Sequence, residues 1–223
     1  GASACHAPKV GRPERTGFGA TWLSLPAQHD TMPDIDPDIL QQLQGFQKFE
    51  NKYLEQRKVF LWGPVMDDSI RKVVDRILFL EAEAPGEEIS LYVNSPGGVV
   101  TSGLVLMDTM RMISSPVATI CMGMCASMGA MILSHGEKGS RRIYPHGRVM
   151  IHQPSIGGTF GQASDLEITT KEILKTKELS AQILAENCGQ TEERVREDFD
   201  RDYWMDADEA VDYGIVDSIA ENF

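Results

Sequence analysis

Three short stretches of the chain carry residue types able to do acyl-transfer chemistry. Cys125-Ala126-Ser127-Met128-Gly129 follows an apolar, β-branched run from Val117 to Met122 and precedes Ala130-Met131-Ile132-Leu133, which has helical composition. A serine at a sharp strand-to-helix turn exposes its Oγ, and the helix behind it offers unpaired backbone N–H groups. The G-x-S-x-G pattern of a nucleophile elbow is half met, because Cys125 stands at the first glycine position. The competing explanation of Ser127 is an ordinary N-cap, a role serine often fills. His152, at the end of Arg148-Val149-Met150-Ile151, could act as the base for Ser127. An acid further on, among Asp198, Asp200 and Asp202, could hold the imidazole tautomer, and spacing does not choose among the three. The N–H of Met128 follows the nucleophile, and that of Gly98, in Asn94-Ser95-Pro96-Gly97-Gly98, could complete an oxyanion hole. A glycine pair alone is a common turn and a single histidine is more often structural. Their coincidence at strand ends raises the enzymatic reading.

The elements that must position these residues alternate. Val59-Phe60-Leu61-Trp62, Ile89–Val93, Val117–Met122 (ended by Gly123) and Arg148–Ile151 read as strands. Between them lie a helix capped by Asp67 or Asp68 with an apolar face of Ile70, Val73, Val74, Ile77 and Leu78, a helix opened by Thr101 or Ser102, and the helix after Ser127. Such β-α-β-α order predicts an α/β fold with a mainly parallel sheet, right-handed crossovers and working loops at the carboxyl ends of the strands. A long helix capped by Ser164 or Asp165 and ended near Gly189 comes next, then a short helix, then a capping box at Asp206–Glu209 with a stop at Gly214. Upstream, Ile39, Leu43, Phe46, Phe49 and Tyr53 predict an amphipathic helix over 36–58, and residues 1–35 read as a disordered leader or tag.

Bulk composition narrows the function classes. Of 223 residues, 42% are apolar and 24% charged, and Lys+Arg 21 against Asp+Glu 33 gives a net charge of −12. That balance argues against a nucleic-acid backbone or an anionic membrane as partner. No apolar run approaches the roughly 20 residues of a membrane-spanning helix, and no signal-peptide pattern opens the sequence, so a cytoplasmic protein is expected. Cys5, Cys121, Cys125 and Cys188 show no C-x-x-C spacing and read as buried thiols in a reducing compartment. Glu81, Glu83, Glu87 and Glu88 read as a solvated face and turn, so no metal and no cofactor are expected.

These motifs resemble the proteolytic subunit of the Clp protease, the ClpP family. The matching text is F-L-W-G-P-V, I-S-L-Y-V-N-S-P-G-G-V-V-T-S-G, S-P-V-A-T-I-C-M-G-M-C-A-S-M-G-A, G-R-V-M-I-H-Q-P, G-Q-A-S-D-L-E-I, E-I-L-K-T-K and D-R-D-Y-W-M-D-A-D-E-A-V-D-Y-G-I-V-D, from roughly Tyr53 to Ile219. The resemblance implies a ClpP/crotonase-like fold of stacked βαβ units over 59–223, with a protruding strand-helix handle at about 155–188. It implies Ser127 as nucleophile, His152 as base, Asp202 as the orienting acid, and Gly98 and Met128 as oxyanion donors. His135 and His146 match nothing functional in it. It further implies two stacked heptameric rings with Arg201 at the ring–ring contact, and a Clp-type AAA+ unfoldase that feeds unfolded protein substrates in. Two departures stand out: the family's axial N-terminal segment has no counterpart before Tyr53, and one extra residue lies between His152 and Gly161. Two other readings compete, a catalytically silent ring or assembly subunit and a crotonase-type acyl-CoA enzyme. The crotonase-type enzyme needs no serine at 127 and no His/Asp pair, and a silent subunit is one that has lost its triad.

Overall fold

The computed structural model describes residues 48–155 and 161–221. The proposed leader, most of the 36–58 helix and the glycine-rich strand expected at Gly157–Phe160 lie outside them. Residues 48–55 are helical (α1). After α1 the chain forms β1 (Lys58–Trp62), α2 (Asp67–Glu83), β2 (Ile89–Ser95), α3 (Val100–Met112), β3 (Val117–Ala126) and α4 (Met128–Ser134). Then come β4 (Arg141–Ile143), β5 (Arg148–Ile151), α5 (Ala163–Cys188), α6 (Glu192–Asp198), β6 (Tyr203–Met205), α7 (Ala207–Tyr213) and β7 (Ser218–Ile219).

The sheet is mainly parallel, in the order β1-β2-β3-β4-β7, with β5 branching from β3 and β6 pairing β5. The one antiparallel pair among the described strands is β5–β6. β2 and β3 are covered on both faces, which is why they read as continuous apolar runs. Ile89, Leu91 and Val93 are fully buried in the main core with Ile70, Val73, Ile77 and Leu80 of α2. A smaller cluster of Tyr92, Ala118 and Ile120 occupies the other face.

Gly123 does not end β3. The strand runs on to Ala126, with Gly123 at a φ of +82°. The register to β2 jumps there, from Val93↔Cys121 to Ser95↔Cys125. Two residues are accommodated on β2 while four pass on β3, a bulge that bends the strand and re-aims its last three residues. The bulge also divides the partners of β3: Thr119–Cys121 pair β4, whereas Met124–Ala126 pair β5. The kink therefore brings β5, and His152 at its end, alongside the turn that carries Ser127.

Several expected caps are differently placed. α2 opens at Asp67 after Met66, α3 at Val100 after Val99, and α5 at Ala163 after Gln162, none capped by the side chain of its N-cap residue, although on α2 Ser69 Oγ accepts from the Met66 N–H. α2 and α3 begin earlier than the polar residues expected to cap them, because the Val65–Gly98 bridge just upstream of both fixes where the chain turns. The apolar face of α2 is Ile70, Val73, Ile77 and Leu80, not Leu78, which is 47% exposed. The 206–209 capping box and the left-handed Gly214 are as expected. β4, β6 and β7, of three, three and two residues, have no counterpart in the sequence reading.

α5 is 26 residues long, yet its buried residues are Ser180, Ala181, Leu184 and Ala185, all in its last third. Ile168, Leu174 and Leu179 are exposed along the rest. The helix thus projects from the body and docks at its base, chiefly on α4 and α6, with further bonds from Arg111 of α3 to Glu186 and from Arg141 of β4 to Asn187 O.

Candidate active site

Ser127 sits between the end of β3 and the start of α4 with φ 55° and ψ −122°. Positive φ is uncommon for a residue with a Cβ and marks strain that the surroundings must hold. They hold it by a Ser127 N–H bond to Met150 O at 2.8 Å, which continues the β3–β5 pairing into the turn. The side chain makes no capping bond. Its Oγ lies 2.9 Å from His152 Nε2 instead. The N-cap explanation of this serine is thereby set aside.

His152 follows the last residue of β5, and its Nδ1 lies 3.2 Å from Asp202 Oδ1. The imidazole is mostly shielded, at 26% side-chain exposure, while the Asp202 carboxylate is 62% exposed. Of the three acids left open by spacing, Asp202 reaches the histidine. Asp198 pairs with Arg194, and Asp200 accepts from Gln153 Nε2 at 3.0 Å.

Gln153 had no assigned role in the sequence, and it braces this corner. Its N–H donates to Phe199 O at 2.6 Å and its side-chain amide to Asp200 O at 2.9 Å. Together with the β5–β6 pairing, these bonds hold the segment before Asp202 from within the same chain. The only sequence signal was its position next to His152.

Gly97 and Gly98 run past the serine on a third segment. Val65 N–H donates to Gly97 O at 2.9 Å and Val65 O accepts from Val99 N–H at 2.8 Å, an isolated parallel bridge. Gly98 N–H takes no part in that bridge, so along an extended backbone it points away from Val65. A Cβ at Gly98, where φ is +152°, would lie 2.2 Å from Val65 O. The reason for glycine at 98 is thus the Val65 backbone behind it. It is Gly97, at a φ of +89°, that abuts the serine: a Cβ there would lie 2.6 Å from Ser127 Cβ and 3.0 Å from Met128 N. Met128 N–H, first of its helix, has no intrahelical acceptor.

The remaining named residues fall outside this cluster. Arg201 is 87% exposed and bonds Asp200 O at 2.9 Å, with Asp200 Oδ2 at 3.5 Å. His135 caps the far end of α4, where burial and then Arg111 hold its imidazole below the usual range, partly offset by Asn187. His146 is exposed between β4 and β5. Cys121 and Cys125 are buried free thiols beneath the elbow; burial, then Cys121, pushes the Cys125 thiol well above its ordinary value. No described helix is long and apolar enough to cross a membrane.

A hydroxyl within hydrogen-bond reach of an imidazole that is itself held by a carboxylate has the geometry that a nucleophile, base and orienter in series would need. A sequence model of the family described as Clp protease matches residues 41–223. The match starts upstream of Tyr53, so it takes in α1 as well as the α/β body.

Proposed function

The chain belongs to the Clp protease family, and from that premise we propose that it is a serine endopeptidase, with Ser127, His152 and Asp202 as its catalytic triad. Its substrates are unfolded proteins delivered by an ATP-dependent unfoldase, and it acts inside two stacked heptameric rings in the cytoplasm. The observation that carries the reading is the 2.9 Å approach of His152 Nε2 to the Oγ of a serine held at positive φ.

The Ser127 Oγ attacks the scissile carbonyl while His152 Nε2 takes the hydroxyl proton. The carbonyl oxygen becomes an oxyanion received by the N–H groups of Gly98 and Met128. Asp202 accepts the Nδ1–H and stabilises the imidazolium without taking its proton. The imidazolium then protonates the leaving amine, the C–N bond breaks, and Ser127 is left as an acyl ester. Water repeats the sequence, its proton passing to His152 and then to Ser127 Oγ, and the carboxylate product leaves.

The ring assembly is supported by the unpacked length of α5, whose exposed Ile168, Leu174 and Leu179 need a partner surface. Closed rings bury such stripes on every copy at once.

The test is labelling with a fluorophosphonate, followed by Ser127→Ala. The wild-type chain should be modified at Ser127, and the alanine variant should lose peptide turnover by ~10⁴-fold or more while keeping its assembly state. Near-normal turnover in the alanine variant would overturn the assignment.

A further inference from the structure

We propose that Ser102 and Asp67 form a clamp that positions the oxyanion strand Gly97–Val99, which makes both of them positioning residues for the reaction; this rests on the serine-peptidase reading of Ser127. Ser102 Oγ donates to Asp67 Oδ1. Ser102 is 4% exposed, in the first turn of α3, and Asp67 is the first residue of α2. Hydroxyls and carboxylates at these helix positions ordinarily cap backbone N–H groups. Neither side chain caps its own helix here: at α2 it is Ser69 Oγ that accepts from the Met66 N–H, at 3.0 Å, and α3 has no side-chain cap, while Asp67 and Ser102 bond each other.

The bond closes a loop around the oxyanion donor. Asp67 lies just beyond Val65, and Ser102 just beyond Gly98, the two residues of the isolated bridge. That bridge is two backbone bonds, set beyond the end of the β1–β2 ladder, whose last pair is Trp62↔Asn94 and whose last bond runs from Gly63 N–H to Asn94 O. Linking the helices that leave its two sides keeps Val65 against Gly98 and so fixes the direction of Gly98 N–H. The same turn of α3 is braced on the second donor. A Cβ at Gly103 would lie 2.4 Å from Met128 Cγ, so α3 packs directly on the residue after the nucleophile. Ser102 thus connects the two halves of the oxyanion hole.

The experiment measures kcat and KM for a fluorogenic peptide, and Ki for a peptide aldehyde, on the full assembled chain. Ser102→Ala should lower kcat roughly tenfold with KM within about twofold, because displacing a donor acts on the transition state more than on the bound substrate. Aldehyde affinity should fall in parallel, since the hemiacetal oxygen uses the same donors. Asp67→Ala should reproduce the loss, the double variant should be no worse than either single one, and Asp67→Asn, which keeps an acceptor, should recover most of the turnover. If Ser102→Ala does not fold, the exposed Asp67 carries the test alone. Unchanged kcat, additive losses, or a fall in kcat without the matching fall in aldehyde affinity would each overturn the clamp. Fluorophosphonate labelling separates the two failures. An unlabelled Ser127 in the wild-type chain sinks the peptidase reading itself. Normal labelling together with normal turnover of Ser102→Ala sinks only the clamp.

Discussion

Asp202 stands opposite His152 across the β5–β6 pair, one step beyond the Ile151↔Tyr203 register, with Oδ1 3.2 Å from Nδ1. The contact is a cross-strand pair at the open end of an antiparallel ladder. Backbone register, not a side-chain search, brings the acid to the base. The carboxylate is nevertheless 62% exposed, so water screens what it contributes. Asp202→Asn should therefore lower kcat on the order of 10³-fold, short of the ~10⁴ expected of a buried acid. Peptide turnover checks this, and an asparagine variant as fast as the wild type would show that the contact does not serve catalysis.

Gly98→Ala should cost activity and stability together. Its Cβ would meet Val65 O at 2.2 Å, against backbone that cannot swing aside. Relief requires the strand to shift, which moves Gly98 N–H; loss of one oxyanion donor costs ~10²-fold or more in kcat. Strain of this kind costs about 1–3 kcal/mol. Turnover and thermal midpoint are the readouts, and full activity would mean that the donor lies elsewhere.

Assembly should respond to surface changes that leave each subunit folded. Leu174 is 56% exposed on α5, so Leu174→Glu should leave the subunit intact while weakening ring–ring association. Arg201, whose guanidinium is 87% exposed beside Asp202, is proposed to reach an acid across the ring interface. Arg201→Ala should lower both double-ring formation and peptidase activity, with lysine rescuing only part, since it lacks the planar fork. Sedimentation and turnover over a range of protein concentrations decide it. Single rings at full activity would remove the coupling.

Asp217 should matter for stability rather than for chemistry. It pairs with Arg141 at 2.5 Å and accepts from the N–H groups of Gly139 and Arg141, on a guanidinium that is 6% exposed. Burial raises the Asp217 pKa, but the bonds from Arg141 outweigh it and hold the carboxyl below its usual value. A folded pKa below the unfolded value of about 3.9 means that this stabilisation is complete above that pH and is lost as pH falls through the folded value. Asp217→Ala should remove about 3 kcal/mol near neutral pH, because Arg141 is left buried and unpaired. The deficit should shrink in acid. Denaturant unfolding at neutral and low pH checks both statements, and a deficit that does not change with pH would contradict the second.

The sequence alone carried the features that depend on local chemistry. Two-sided apolar runs gave β2 and β3, their alternation with helices gave the parallel sheet, and Ser127 and His152 could be picked from their places at strand ends. The segments Asp206–Glu209 and Gly214 were legible because caps are decided within a few residues. Tertiary structure decided whatever depends on register. Spacing leaves Asp198, Asp200 and Asp202 open and only the family resemblance points to Asp202; its contact with His152 depends on β6, whose Tyr203-Trp204-Met205 is too short to show a period of its own and becomes a strand only by pairing β5. The bulge at Gly123 looked like a strand end because glycine is the same signal for both, and only the pairing of β3 with β5 distinguishes them. Glycine at 98 answers to the carbonyl of Val65, and the bond between Asp67 and Ser102 joins the starts of two helices. Contacts of that range leave no periodic mark on a sequence; packing alone determines them.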